Sequence, residues 1–135
     1  MPATIAPGKT ARPSKTAGRF RIKRIYEPAS KDDGLRVLVD RLWPRGVAKR
    51  KAHIDLWLRD LSPSDELRHM VHADPAKWDE FVKAYGRELK QEPARTALAD
   101  LRKLPRNRPV TLLYAARDET HNNAVALKRL LARAK

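Results

Sequence analysis

The chain has 135 residues, enough for one domain of ordinary size and too few for two large ones. Hydrophobic residues make up 41% and charged residues 34%, the profile of a folded protein with a heavily charged surface. No apolar run approaches the roughly 20 residues of a membrane helix, so no membrane partner is expected. With no Cys there is no disulfide framework, zinc-thiolate site or cysteine nucleophile, which suits a cytoplasmic location. The 30 Lys+Arg against 16 Asp+Glu leave a net charge of +14, which draws anions such as nucleic acid, nucleotides and acidic metabolites.

Residues 1–19 contain Lys9, Arg12, Lys15 and Arg19 and no acidic residue, among Pro, Ala, Thr, Ser and Gly. That composition builds no apolar face and predicts a flexible basic tail ahead of a single domain over 20–135. Residues 20–26 begin as apolar/basic alternation and predict a strand. Glu27–Gly34 is a polar, turn-rich stretch. Residues 36–40, Arg-Val-Leu-Val-Asp, form a short apolar run that fits a strand buried on both faces. Trp43-Pro44-Arg45-Gly46 breaks regularity, and His53–Leu61 fits neither period. Ser64 is placed to cap a short helix ending near Ala73, and Asp74-Pro75 to open the next. Trp78, Phe81, Val82, Tyr85 and Leu89 recur at three- and four-residue spacing, an amphipathic helix. Another helix is expected over Ala94–Lys103, and a basic loop over Pro105–Pro109. Val110–Tyr114 is the clearest strand, and a last helix follows the Ala115–Asp118 segment. Apolar strands separated by helical crossovers predict an α/β fold with a mainly parallel sheet flanked by helices. The direction of the first strand is open, because its connection to the second is short.

Two strand ends carry the candidate chemistry. Asp40-Arg41-Leu42-Trp43-Pro44-Arg45-Gly46 follows one, and Tyr114 through Asn122 contains the other. Ligands of open parallel sheets bind beyond the carboxyl ends of the strands, so both segments are expected to meet at one crevice. Arg41 and Arg45 are candidate anion ligands with forked donors, with Asp40 orienting one of them; an internal ion pair that pins the loop is the alternative. Trp43 is a stacking surface or, more commonly, a core plug; for Trp57 and Trp78 the core role is favoured. The last helix offers its first N–H groups to an anion. His121 is the candidate proton carrier, with Asp118 as its partner or as a simple helix cap, and Tyr114 and Asn122 beside the ligand. Asp118 and His121 are too few to define a metal site, and none is assigned. His69 and His72 read as surface residues. Neither a glycine-rich phosphate loop nor a nucleophile elbow is present, and no cofactor is named by these residues.

Taken together, Arg24-Ile25-Tyr26, Gly34, Arg36 through Gly46, Asp55-Leu56-Trp57-Leu58, Ser62-Pro63-Ser64, Trp78, Phe81, Tyr85, Leu89 and Thr111 through Asp118 with His121-Asn122 resemble the YeaO-like proteins of the bacterial domain-of-unknown-function 488 family. The resemblance covers about residues 20–132. It implies a small Rossmann-like α/β domain and little chemistry. Longer relatives carry an Asp-Val-Arg near the first strand end and a Cys-His-Arg after the last; this chain has Asp40-Arg41 and His121-Asn122 at those places, with no Cys. The leading expectation is a pocket for a small anionic ligand, a nucleotide or phosphorylated metabolite, with acid/base chemistry by His121, Asp118 and Asp40. The alternative is a basic nucleic-acid-binding module without catalysis.

Overall fold

The computed structural model describes residues 19–133. Four parallel strands, β1 (Phe20–Arg24), β2 (Leu35–Leu38), β3 (Leu56–Trp57) and β4 (Val110–Tyr114), lie in the order β1-β4-β2-β3. The last strand in sequence thus sits between the first two. β1 runs parallel to β4, from Phe20 opposite Val110 to Arg24 opposite Tyr114, which resolves the direction left open by the sequence. β2 pairs with the other edge of β4 from Leu35 opposite Val110 to Leu38 opposite Leu113. All five residues of β4 are buried, as a continuous apolar run in a central parallel strand requires.

The helices are α1 (Lys49–Ala52), α2 (Asp65–Ala73), α3 (Trp78–Glu88), α4 (Ala94–Arg102) and α5 (Asn123–Arg133). Ser64 Oγ accepts the Leu67 N–H at 3.3 Å and caps α2. Asp74 accepts the Ala76 N–H at 3.1 Å over the 3-10 turn Pro75–Lys77, which leads into α3. The main core lies on one face of the sheet. Val110, Leu112 and Tyr114 pack there against Val71, Phe81, Tyr85, Leu101 and Leu127, one or more residues from each of α2–α5. The other face is smaller: Ile25, Leu38 and Leu113 lie under Trp43, Val47 and Ile54 from the loops and Trp57 from β3.

The loop face also holds a buried ion cluster. Asp33 pairs with Arg36 at 2.5 Å and Lys23 at 3.0 Å, and Arg36 donates further to the carbonyls of His53 and Ala52. Burial works against the Asp33 charge, yet the Ser30 N–H and the two cations hold its pKa below the usual carboxylate value. Beside it, Gly34 has φ +65°, and a Cβ there would stand 2.1 Å from the Pro109 carbonyl oxygen. Only glycine lets β2 start hard against the entry to β4.

Some boundaries differ from the sequence reading. β1 ends at Arg24, β2 covers Leu35–Leu38, and His53–Leu61 resolves into the two-residue β3 and a 3-10 turn Arg59–Leu61. The strand ladder nevertheless runs one residue further at two ends, with the Ile25 N–H donating to Tyr114 O at 2.7 Å and the Val39 N–H to Leu113 O at 3.2 Å. Most of the expected basic tail lies outside the described residues. Arg19, its last residue, belongs to the domain: its guanidinium donates to the carbonyls of Leu104 at 3.0 Å and Pro105 at 3.1 Å, and its own carbonyl accepts the Val110 N–H at 2.8 Å.

Candidate functional site

The chain leaves β2 toward the loop face and leaves β4 toward the helix face. Adjacent parallel strands that part in this way open a crevice at their carboxyl ends. The ends of β2 and β4 are there, and a cleft of about 350 Å³ lies beyond them. Asp40, Arg41, Trp43, Arg45, His121 and Asn122 all line it, so the two segments singled out by the sequence do meet.

Asp40 is the pivot, though in a role different from that expected. Its carboxylate accepts the Ala115 N–H at 2.9 Å and the Asn123 side-chain amide at 3.2 Å, and its carbonyl accepts the Trp57 indole N–H at 2.8 Å. It therefore ties β2 to β4 and to the start of α5 instead of orienting Arg41 or Arg45. Burial pushes its carboxyl above the ordinary value, against the opposing effect of these two donors and the nearby Arg68 charge.

Arg41 is half exposed, its Nε 3.9 Å from an Asp65 oxygen. An exposed contact of that length holds a guanidinium weakly. Arg45 is exposed, and its backbone carbonyl accepts the Tyr26 hydroxyl at 2.8 Å, which fixes the loop that carries it. Gly46, at φ +79°, turns the chain after Arg45. Trp43 donates its indole N–H to Val47 O at 2.7 Å and meets Trp57 edge-on, ring centres 5.4 Å apart. Trp43 thus anchors the loop while one part of it faces the cleft.

The segment after β4 corrects two expectations. The last helix starts at Asn123, because Asp118 closes a turn of its own. Its Oδ1 accepts the Thr120 N–H at 2.9 Å and the His121 N–H at 3.0 Å, and these bonds hold its pKa below the usual value. A short acidic side chain that bonds local amides in this way competes with helix formation. The helix cap is Asn122: its Oδ1 accepts the Val125 N–H at 3.0 Å, while its Nδ2 donates to Asp118 O at 2.8 Å. Both ends of the Asn122 amide are thereby occupied, and one of the amides expected to greet an anion is already capped. Tyr114 is 3% exposed and belongs to the main core rather than to the cleft wall.

His121 faces the cleft with its ring edge-on to Trp78 at 4.8 Å. Its Nδ1 lies 2.9 Å from Thr120 Oγ1 and 3.5 Å from Asp118 Oδ2. The expected His121–Asp118 pairing is present, on an exposed turn.

Sequence reasoning missed Arg68, His72 and Trp78 as cleft residues. Arg68 lies in α2 and donates through Nη2 to Asp65, while its buried Nε–H has no hydrogen-bond partner among the described residues. Arg68 and His72 are four residues apart on a recognised helix and so share a face; asking which polar side chains shared that face would have found both. Arg41, Arg45 and Arg68 thus surround a cleft whose carboxylate among the described residues, Asp40, is bonded inward. The described residues contain no cluster of three or more His, Asp or Glu side chains that could hold a metal ion.

Comparisons with known proteins give relatives without an assigned activity. The chain is similar to the uncharacterized protein YeaO of Escherichia coli (strain K12), 43% identical over 106 residues, which covers 78% of this chain and 90% of the relative. It is similar also to the uncharacterized protein Rv3073c of Mycobacterium tuberculosis (strain H37Rv), 42% identical over 113 residues, covering 84% of this chain and 93% of the relative. No solved structure matches the chain. The family model described as "Inactive DUF488-N3 subclade" matches residues 19–135. With nearly the whole domain matched and these identities alongside, the chain belongs to the DUF488 family, in that subclade.

Proposed function

We propose that the cleft is a binding site for a small anionic ligand, a nucleotide or a phosphorylated metabolite, held without chemical conversion. The observation that carries this reading is the set of three guanidiniums, Arg41, Arg45 and Arg68, around a concave site at the carboxyl ends of β2 and β4. Guanidiniums bind phosphate and carboxylate oxygens by paired, charge-assisted hydrogen bonds. Trp43 and Trp78 line the same cleft and offer ring surface to a base or sugar.

Binding without catalysis is favoured over acid/base chemistry on three grounds. The family model describes an inactive subclade. Asp40 holds two strand ends and a helix start, and Asp118 Oδ1 holds a turn, so both carboxylates have structural duties. The chain has no Cys that could serve as a nucleophile.

The test is a calorimetric titration of the full chain with inorganic phosphate, nucleoside mono- and triphosphates and sugar phosphates. Replacing Arg41 with Ala removes a charge-assisted bond and is expected to cost on the order of 1.5–3 kcal/mol, about ten- to a hundredfold in affinity. Lys128→Ala, outside the cleft, should change little. Equal small losses for both variants with duplex DNA, and no binding of any phosphate compound by the parent, would overturn the proposal in favour of a nucleic-acid surface.

A further inference from the structure

A larger concavity shares no lining residue with the cleft. This groove, about 910 Å³, runs between α3, α4 and α5. Its apolar lining includes Leu98 and Leu130, which are only partly buried, with Leu127 and Leu131 beneath. Gly86 keeps it open, since a Cβ there would already stand 3.2 Å from a Leu130 methyl group. Around this floor stand Lys83, Arg87, Lys90, Arg95, Arg102 and Arg133, with no acidic residue in the lining. Arg95 pairs with Glu92, while the other five make no ion pair among the described residues.

We infer that this groove docks an acidic amphipathic helix of a partner protein. A leucine floor between basic rims is complementary to a helix with apolar residues at i, i+3, i+4 and i+7 and carboxylates on both flanks. Charge selects among the other occupants. The chain's own residues 1–18 contain Lys9, Arg12 and Lys15 and no acidic residue, so they are repelled by the rims. A second copy of the chain carries +14 and meets the same repulsion. Nucleic acid matches the charge but not the floor: the lining has no aromatic side chain on which a base can stack.

The test uses the full chain and a fluorescently labelled, helix-forming peptide of about five turns, roughly 18 residues, with Leu along one stripe and Glu on both flanks. A twin peptide carries Lys in place of each Glu. The acidic peptide is expected to bind more tightly than about 100 μM, the basic twin not at all. The double variant Arg87→Glu/Arg102→Glu changes only exposed side chains and should keep the parent's circular dichroism. It should lower affinity by about tenfold, the sum of two exposed charge pairs reversed in sign. Arg41→Ala, in the other cleft, should bind the peptide as the parent does, so this inference and the anion site fail or stand separately. Equal binding of the two peptides, binding weaker than about 1 mM, or a preference of the same rims for duplex DNA or phosphatidylglycerol vesicles over the acidic peptide would overturn it.

Discussion

Asp40 Oδ2 accepts the Ala115 N–H at 2.9 Å and so closes the ends of β2 and β4 around the head of the cleft. These two strands pair directly in the sheet, but the chain between them is a long crossover, so beyond the last ladder bond a side-chain bond fixes their ends where no tight loop does. Asp40→Ala leaves the Ala115 N–H and the Asn123 amide without their acceptor. The expected cost is about 1–3 kcal/mol, the penalty of unpaired, partly buried polar groups, read from the shift in denaturant midpoint at unchanged m-value.

The same residue makes a pH prediction. Burial raises the folded-state pKa of Asp40 above its unfolded value. Between the unfolded value, about 3.9, and that raised value the folded chain binds more protons than the unfolded one, so the contribution of Asp40 to stability falls as pH rises through this window. Asp40→Asn cannot ionise and loses this dependence. The melting temperature of the parent relative to Asp40→Asn should therefore decline as pH rises from the unfolded value, about 3.9, through the raised folded-state value. A difference that grows in the parent's favour over the same range would show that the donors outweigh burial.

Asn122→Ala tests the cap assigned to α5. Loss of the bond to the Val125 N–H is expected to cost about 0.5–2 kcal/mol, and loss of the bond to Asp118 O loosens the turn that presents His121. Asp118→Ala should instead disturb the turn at Thr120 and His121 with little change in helix content. Circular dichroism melts separate the two, since the cap belongs to one residue and the turn to the other.

The contrast between Asn122 and Asp118 shows where the sequence was legible and where it was not. β4 was readable to the residue because Val110–Tyr114 is a short, mostly apolar run rich in strand-forming residues, bounded by the basic loop before it and small alanines after it. The α2 start was readable because Ser64 carries cap chemistry, whereas Asp74-Pro75 opens a 3-10 turn, Pro75–Lys77, and α3 itself begins only at Trp78. The α5 start was not, because Asp118, Thr120 and Asn122 are all good caps and only the three-dimensional turn chooses among them. The meeting of the two strand-end segments followed from parallel topology alone. The partners of Asp40 did not, since the choice between Arg41 one residue away and Ala115 across the sheet depends on backbone geometry. Arg68 was missed for another reason: its helix lies far in sequence from both segments and is folded over them by the crossover.

Tyr85 tests the main core. Its hydroxyl donates to Leu61 O, and the residue is fully buried beneath the 3-10 turn that follows β3. Tyr85→Phe keeps the packing and leaves the Leu61 carbonyl unpaired, an expected loss of about 1–3 kcal/mol. Because burial also raises the phenol pKa well above its ordinary value, the parent should show no ionisation of this tyrosine in ultraviolet titration until it unfolds.

Arg68 separates a binding role from a structural one. Its Nε–H is buried without a hydrogen-bond partner among the described residues, and its pairing with Asp65 is to a mostly exposed carboxylate. An unpaired buried donor is a net cost to the folded chain, and an exposed pair returns only about 0.2–1 kcal/mol. Arg68→Met keeps an aliphatic stem of similar length and removes the charge, so the variant without ligand should be as stable as the parent or more so. If Arg68 holds an anion, the parent should gain melting temperature on adding the bound phosphate compound, by the mass-action stabilisation of a folded-state ligand, and Arg68→Met should lose most of that gain. Arg68→Lys tests geometry: a point charge restores attraction but not the forked donors, so recovery should be partial. A variant that unfolds without ligand, with the anion effect intact in what remains folded, would assign Arg68 to the fold and leave Arg41 and Arg45 to carry the site.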